Sequence, residues 1–249
     1  GAKAMLDDGL FERYRPRAVY GLHNWPGLAV GQMAVTEGVV MAAADEFRIT
    51  VTGLGGHAAE PQTTRDPIVA ASLMVAEFQT IVSRVVDPRA PAVVSVTQFT
   101  AGNSHNVIPD SALLRGTTRC FDADVQALIQ GEMERIATRI AEAHRVELTF
   151  ERPATPYPPT VNDADEARFA HSVMAELLGE ASAHLGHPPS MASEDFSFFA
   201  RKVPGAFAII GNGDTPTLHH PAYDFDDTAL PVGVAYWTRL VERALPLAE

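Results

Sequence analysis

Hydrophobic and polar positions change period several times along the chain, and each change predicts an element. Phe47, Ile49 and Val51 alternate with Arg48, Thr50 and Thr52, the period of a half-buried strand that ends at Gly53-Leu54-Gly55-Gly56. Asp66-Pro67 then opens a helix with Ile68, Ala71, Leu73, Val75, Phe78 and Val82 on a broad apolar face. Residues 92–100 and 111–120 read as strands, separated by a loop with Gly102-Asn103-Ser104-His105. Residues 122–144 read as a helix capped by Asp122 or Asp124, with Val125, Leu128, Ile129, Ile136 and Ile140 along one side. Residues 146–150 close the series as a short strand. The order β-α-β-β-α-β predicts a split βαβ, ferredoxin-like sandwich over residues 44–153.

The stretch 152–159 holds four prolines in eight residues. Proline fixes φ and removes a backbone donor, so this stretch is neither helix nor central strand and predicts an extended connector at a domain boundary. The remainder, 1–43 and 154–249, is then one discontinuous domain into which the sandwich is inserted. Within it, 18–22 and 206–210 read as buried strands and 163–178 and 227–245 as helices, an α/β layer pattern. The chain opens Gly-Ala-Lys-Ala-Met-Leu-Asp-Asp-Gly, with no initiator Met, as though inside a helix. The expectation is a fragment whose sheet lacks strands and exposes an apolar patch.

Charge and cysteine content narrow the function. Among 249 residues, 19 Lys+Arg stand against 31 Asp+Glu, a net charge of −12. That balance argues against nucleic acid or an anionic membrane surface as partner, since both demand a basic face. The single cysteine, Cys120, excludes an internal disulfide framework and a four-thiolate zinc site, and reads as an inert buried thiol. No apolar run approaches the roughly 20 residues that span a bilayer, and the first 20 residues show no signal-peptide pattern. A cytoplasmic enzyme or binding protein is expected.

The sequence lacks a Gly-x-Ser-x-Gly elbow, a phosphate-cradling Gly-x-x-x-x-Gly-Lys loop and a His-Glu-x-x-His helix. Its histidines are more informative. His23, in Gly21-Leu22-His23-Asn24-Trp25-Pro26, directly follows a predicted strand, where α/β sheets bind ligands. His219-His220-Pro221 follows the second strand of the same domain. Imidazoles converging on strand ends are common metal ligands; a backbone-bonded loop histidine and two solvent histidines before a turn are the plainer alternatives. His57, in Gly55-Gly56-His57-Ala58-Ala59, is either open to a ligand or a turn histidine. Asn106 and Arg119 are able to bind a carboxylate, because a guanidinium forks onto two oxygens; an arginine exposed on a sheet face is the plainer alternative. His144, His171, His184 and His187 read as surface or capping residues.

Taken in order, Gly1–Gly9, Gly21-Leu-His-Asn-Trp-Pro26, Gly53-Leu-Gly-Gly-His-Ala-Ala59 with Asp66-Pro67, Asn106-Val-Ile-Pro109, Ser193-Glu-Asp-Phe196 and Leu218-His-His-Pro221 resemble the M20 family of metal-dependent amidohydrolases and peptidases. The resemblance covers essentially the whole chain and is strongest to the branch of hippurate hydrolases, N-acyl-amino-acid amidohydrolases and auxin-conjugate hydrolases. It implies an α/β fold: a partial metallopeptidase-type catalytic domain (1–43 and 154–249) with an inserted ferredoxin-like βαββαβ lid and dimerisation domain (44–153). It further implies two divalent metal ions (Zn, Mn, Ni or Co), with His23 and His219 each ligating a different one. His219 is preferred to His220 because the family commonly reads Leu-His-Ser-Pro there. His57 matches the lid histidine that stabilises the tetrahedral oxyanion, supplied in dimeric relatives by the partner subunit. Asn106 and Arg119 match lid positions that grip substrate, and a homodimer through the lid is implied. Glu194 lies in a motif near the site and carries no assigned role. Gln62 departs from the pattern, standing where many members of this branch have a second histidine.

A larger departure is that the family's His-x-Cys-Gly-His-Asp segment and Glu-Glu pair are absent from these 249 residues; they would precede Gly1. A catalytic zinc needs about three protein ligands plus water, so the ligand set here is incomplete, and no carboxylate base is in evidence. The implied activity is hydrolysis of the amide bond of small N-acyl amino acids by a metal-activated water in the parent protein, the chain alone being inactive. Two alternatives stay open: a non-catalytic dimerisation or small-ligand module from a decayed enzyme, and an M20 exopeptidase or deacylase of different substrate.

Overall fold

The computed structural model describes residues 1–152 and 156–246. Helices α1 (Ala2–Asp7) and α2 (Leu10–Tyr14) lead into strands β1 (Val19–Trp25), β2 (Met33–Val35), β3 (Gly38–Met41) and β4 (Ala43–Thr52). Then come β5 (Gly56–His57), α3 (Pro67–Thr80), β6 (Ala92–Ala101), β7 (Val107–Ile108), β8 (Ser111–Cys120), α4 (Ala123–His144) and β9 (Glu147–Glu151). The chain continues with β10 (Thr160–Asn162), α5 (Ala164–Leu178), β11 (Ala183–Leu185), α6 (Ser197–Ala200), β12 (Gly205–Gly211) and α7 (Leu230–Ala244).

These elements form two compact units. One comprises Gly1–Met41, Thr160–Ser190 and Glu194–Glu249, and the other Ala42–Pro159 with Met191–Ser193. The sequence places the first boundary at 43/44, two residues later. The second, at 153/154, falls on residues 153–155, outside the described residues. Tyr157 of the proline-rich stretch makes an antiparallel bridge to Ala44.

The inserted unit is a four-stranded antiparallel sheet in the order β6-β8-β4-β9. Alternation along β4 buries Phe47, Ile49 and Val51 beneath the helices and leaves Glu46, Arg48 and Thr52 on the open face. Of the two candidate caps for α4, Asp122 serves: its carboxylate accepts from the N–H groups of Asp124 (2.8 Å) and Val125 (3.0 Å). The buried residues of α3 are Pro67, Ala70, Ala71, Met74 and Phe78, a different set from the one the apolar pattern predicts; Leu73 is exposed. On α4, Leu128 is likewise exposed, and Met133, Ala137 and Ala141 are buried. Helix α3 runs on through a π-turn to Val85. This stretch, Pro67–Val85, is 19 residues of mean hydropathy 1.4, long and apolar enough by length and composition to cross a bilayer. That corrects the sequence-based expectation, which counted only unbroken apolar runs. Here Ala70, Met74, Phe78 and Ile81 form part of the sandwich core. Cys120 is buried, as expected, and burial pushes its thiol up.

The other unit has a mixed sheet in the order β1-β12-β2-β11, with β1 parallel to β12 and β2 parallel to β11, while β12 and β2 run antiparallel. All seven residues of β12 are buried. Ala206, Ala208 and Ile210 pack with Ala167, Ala170, Val173 and Met174 of α5 and Tyr236 and Leu240 of α7. Phe207 joins Phe196 and Met41 in a separate cluster. Asn162 ties β10 to β12: its amide donates to the carbonyls of Thr36 (2.8 Å) and Phe207 (3.0 Å) and accepts from the Phe207 N–H (2.7 Å). Strand β1 extends three residues beyond the expected 18–22 and is half-buried rather than buried, because it is an edge strand paired only with β12.

Candidate active site

His23 is the third residue from the end of β1, and Gly205–Gly211 runs parallel beside it, with His23 opposite Ile209. Beyond the strands the two chains stay paired. The Asn212 N–H donates to the Trp25 carbonyl (3.0 Å), the Gly27 N–H to Gly213 (2.9 Å) and the Gly213 N–H to Leu28 (2.8 Å). The loop carrying His219 therefore starts alongside the loop that follows His23. This is the crevice position at the carboxyl ends of parallel strands.

The His23 Nδ1 lies 2.7 Å from the Asn24 carbonyl. A carbonyl only accepts, so Nδ1 carries the proton and Nε2 presents its lone pair, the tautomer a metal ligand needs. The ring packs edge-on to Trp25, with centroids 6.2 Å apart, and Trp25 in turn meets His187 edge-on at 6.0 Å. Burial lifts the Glu194 carboxyl above the ordinary carboxylate range; Asp195 pushes the same way, while the Phe196 N–H and the His23 imidazole oppose it. Glu194 thus lies within electrostatic reach of His23. Asp195 accepts from the Ala2 N–H (2.6 Å) at the start of α1.

His219 is exposed, with a left-handed backbone (φ +66°), and among the described residues its imidazole makes no hydrogen bond. The adjacent His220 differs: its Nδ1 accepts from the Ala222 N–H (3.0 Å), so in the neutral ring Nε2 is protonated and lacks a free lone pair. Among the described residues, no three His, Cys, Asp or Glu side chains come together in a way that could hold a metal ion.

In the inserted unit, β5 and β7 form a two-stranded ribbon that sets His57 opposite Val107, next to Asn106. The Ala58 N–H donates to the Asn106 carbonyl (3.0 Å). The Ala59 N–H donates to His57 Nδ1 (3.0 Å), so Nε2 of the neutral ring carries a hydrogen and points a donor outward. The Ser104 hydroxyl donates to Asn106 Oδ1 (2.7 Å), which leaves the Asn106 amide hydrogens free. Arg119 is not with them. It lies near the far end of β8, opposite Ala44, and its Nη1 donates to Thr117 Oγ1 and to the Thr118 carbonyl (2.8 Å). The eight steps from Ser111 to Arg119 span roughly 27 Å of strand. A cavity of about 480 Å³ on the open sheet face, lined by Arg48, Arg115, Glu151 and Arg152 among others, includes none of the candidate residues.

Sequence reasoning missed the neighbours of His23. His187 precedes Pro188-Pro189 without a recognisable motif, and only the fold puts it against Trp25. The Ser193–Phe196 motif pointed towards Glu194, yet its approach to His23 is decided in three dimensions.

Residues 1–243 match the model of Peptidase family M20/M25/M40. The chain is 38% identical over 245 residues to a hippurate hydrolase of Campylobacter jejuni, covering 98% of this chain and 64% of the relative. It is 37% identical to an N-acetylcysteine deacetylase of Bacillus subtilis, covering 96% and 62%. Among solved structures it is similar to the Bacillus subtilis YxeP protein, described as a dinuclear metal-binding peptidase from the M20 family. The TM-score is 0.78 at 32% identity, over 98% of this chain and 61% of that one. The chain thus spans under two thirds of the length of these relatives.

Proposed function

The chain belongs to peptidase family M20/M25/M40, and on that footing we propose that it forms part of a metal-dependent amidohydrolase acting on small N-acyl amino acids. The observation that carries this reading is His23, held at the end of a parallel strand with Nδ1–H donated to a backbone carbonyl and Nε2 left free. His219 is the second imidazole of the reading, since the Nδ1 of His220 is occupied by the Ala222 N–H. The donors present fit a share of a two-metal centre and no more, because no trio of ligating side chains forms among the described residues. Divalent ions bound in such a centre supply Lewis-acid polarisation of an amide carbonyl and a water of lowered pKa. On this reading the remaining ligands and the base are those of the His-x-Cys-Gly-His-Asp segment and Glu-Glu pair that the family resemblance implies.

The chain's own contribution is to bind and orient. His57 presents Nε2–H as a donor suited to a developing oxyanion. Asn106, with its oxygen engaged by Ser104, offers amide hydrogens to a substrate carbonyl or carboxylate beside His57. Arg119 offers a guanidinium fork to a substrate carboxylate. Its place near the end of β8 remote from Ser111 favours a homodimer in which one substrate meets His57 and Asn106 of one copy and Arg119 of the other. The names of the hippurate and N-acetylcysteine relatives support an acylated amino acid as substrate.

Two assays test the reading. The 249-residue chain with Zn²⁺ or Mn²⁺ is expected to leave hippurate intact, and turnover that scales with protein concentration overturns the incomplete ligand set. A polypeptide that also supplies the His-x-Cys-Gly-His-Asp segment and Glu-Glu pair is expected to hydrolyse hippurate or N-acetylcysteine. There His57→Ala should lower kcat about 10²–10³-fold, as loss of an oxyanion donor does; an unchanged kcat removes His57 from the mechanism. A non-catalytic binding module is the second reading, and it gains if the extended polypeptide binds the acyl amino acid without cleaving it.

A further inference from the structure

Residues 212–226 carry the chain from the end of β12 towards α7. The base of this loop is closed by one buried side chain. The Asn212 amide donates to Thr215 Oγ1 (3.0 Å) and to the Asp224 carbonyl (2.8 Å), and its oxygen accepts from the Asp226 N–H (3.0 Å). The tip is built by short-range bonds. The His220 N–H donates to Thr217 (3.1 Å), the Tyr223 N–H to His220 (2.9 Å) and the Ala222 N–H to His220 Nδ1 (3.0 Å). All of these lie within the tip, so they set its shape and leave its place undetermined. Among the described residues, one hydrogen bond joins residues 217–223 to the sheet: the Asn24 amide donates to the Tyr223 hydroxyl. Asn24 adjoins His23 in β1, and Tyr223 is four residues from His219.

We propose that Asn24 and Tyr223 are a positioning pair, whose hydrogen bond seats the His219 turn over the carboxyl end of β1 and so keeps His219 in the crevice of His23. The role of this seat rests on the reading of the two histidines as ligands. The physical need is plain: a ligand has to be held within about 0.5 Å of its working place. The turn has the right internal bonds for a defined shape, but the imidazole of the left-handed, exposed His219 makes no hydrogen bond of its own among the described residues. Neither Asn24 nor Tyr223 touches substrate in this account; both act through His219.

Hydrogen–deuterium exchange on the whole chain tests the pair without requiring catalysis. Tyr223→Phe and Asn24→Ala are each expected to raise exchange at the amides of His220 and Tyr223 about tenfold, the factor for losing one hydrogen bond of ordinary net strength. The Asp226 amide and the amides of β12 should keep their protection, and the double variant should be no worse than either single one. Asn24→Asp, whose carboxylate accepts from the tyrosine hydroxyl, should restore protection. The proposal is overturned if the tip amides are unchanged in both single variants, if Asp226 and β12 loosen in parallel, if the double variant is additive, or if Asn24→Asp fails to rescue. The ligand reading is tested apart, through Co²⁺ affinity of a His219→Ala variant in the extended polypeptide. Unchanged affinity there sinks the ligand reading and leaves the exchange result for the seat intact.

Discussion

In the inserted unit, α3 and α4 lay their small and apolar residues on one sheet face, so that Ala70, Met74, Phe78, Ile129 and Met133 are all at most 2% exposed. In the α/β unit, α7 buries Tyr236 and Leu240 yet turns Leu230, Val234, Trp237 and Val241 outward, with Val234 65% exposed. Their spacing of four, three and four residues is a second apolar stripe on one helix. Strand β1 of the same unit also has one unpaired edge. A helix apolar on both sides is the kind that structure covers on both sides. The exposed apolar residues of α3 and α4, such as Leu73 and Leu128, leave the sandwich core intact, whereas those of α7 line up as a second stripe on one helix.

The comparison breaks most visibly at the core. Phe78→Ala is expected to cost about 3–5 kcal/mol in urea unfolding, whereas Val234→Ala should stay within about 0.5 kcal/mol. A core-sized loss at Val234 is the result that would falsify the exposed stripe, because it means that the stripe is covered in solution. A smaller effect sharpens what the units share. Asp122 caps α4, and Asp163 caps α5 by accepting from Asp165 (2.9 Å) and Glu166 (3.1 Å). Each Asp→Ala change should cost about 1 kcal/mol, and unequal losses point to a cap whose geometry differs in solution.

The smallest effect is electrostatic. The Arg239 guanidinium, with Nε 2.8 Å from Glu176 Oε1, holds the Glu176 carboxyl below its ordinary range. A carboxyl depressed in the folded state stabilises above its unfolded pKa and loses that contribution as pH falls through the folded value. The Tm difference between the native chain and Glu176→Gln should therefore shrink from pH 7 towards pH 3. Both partners are exposed, so the difference is small throughout; one that grows on acidification contradicts the pairing.

Much of the sandwich was legible in the chain because its signals are local. Alternation from Phe47 to Thr52, Asp66-Pro67 and Asp122 each specify an element through residues a few positions apart. The broad apolar faces were less well read. Leu73 and Leu128 count as apolar in any window, but only packing tells that Met74 and Met133 take the buried places. Site residues divide in the same way. His23, His57, Asn106, Arg119 and His219 all stand in short motifs, so residue type and spacing singled them out. Which of them meet was not in the motifs.

By itself, the sequence determined the element order of the inserted unit, a cap at Asp122 or Asp124, the near absence of cysteine chemistry and the histidines worth following, since these depend on neighbours along the chain. Tertiary structure alone decided that His57 and Asn106 share a ribbon while Arg119 lies near the far end of β8. It also decided that Glu194 lies within electrostatic reach of His23, that His220 Nδ1 accepts from the Ala222 N–H, and that α7 carries an uncovered stripe. Those outcomes depend on strand register and on which helix face meets the sheet. Both are settled by burying the most apolar surface over the whole unit, a sum that no local window contains.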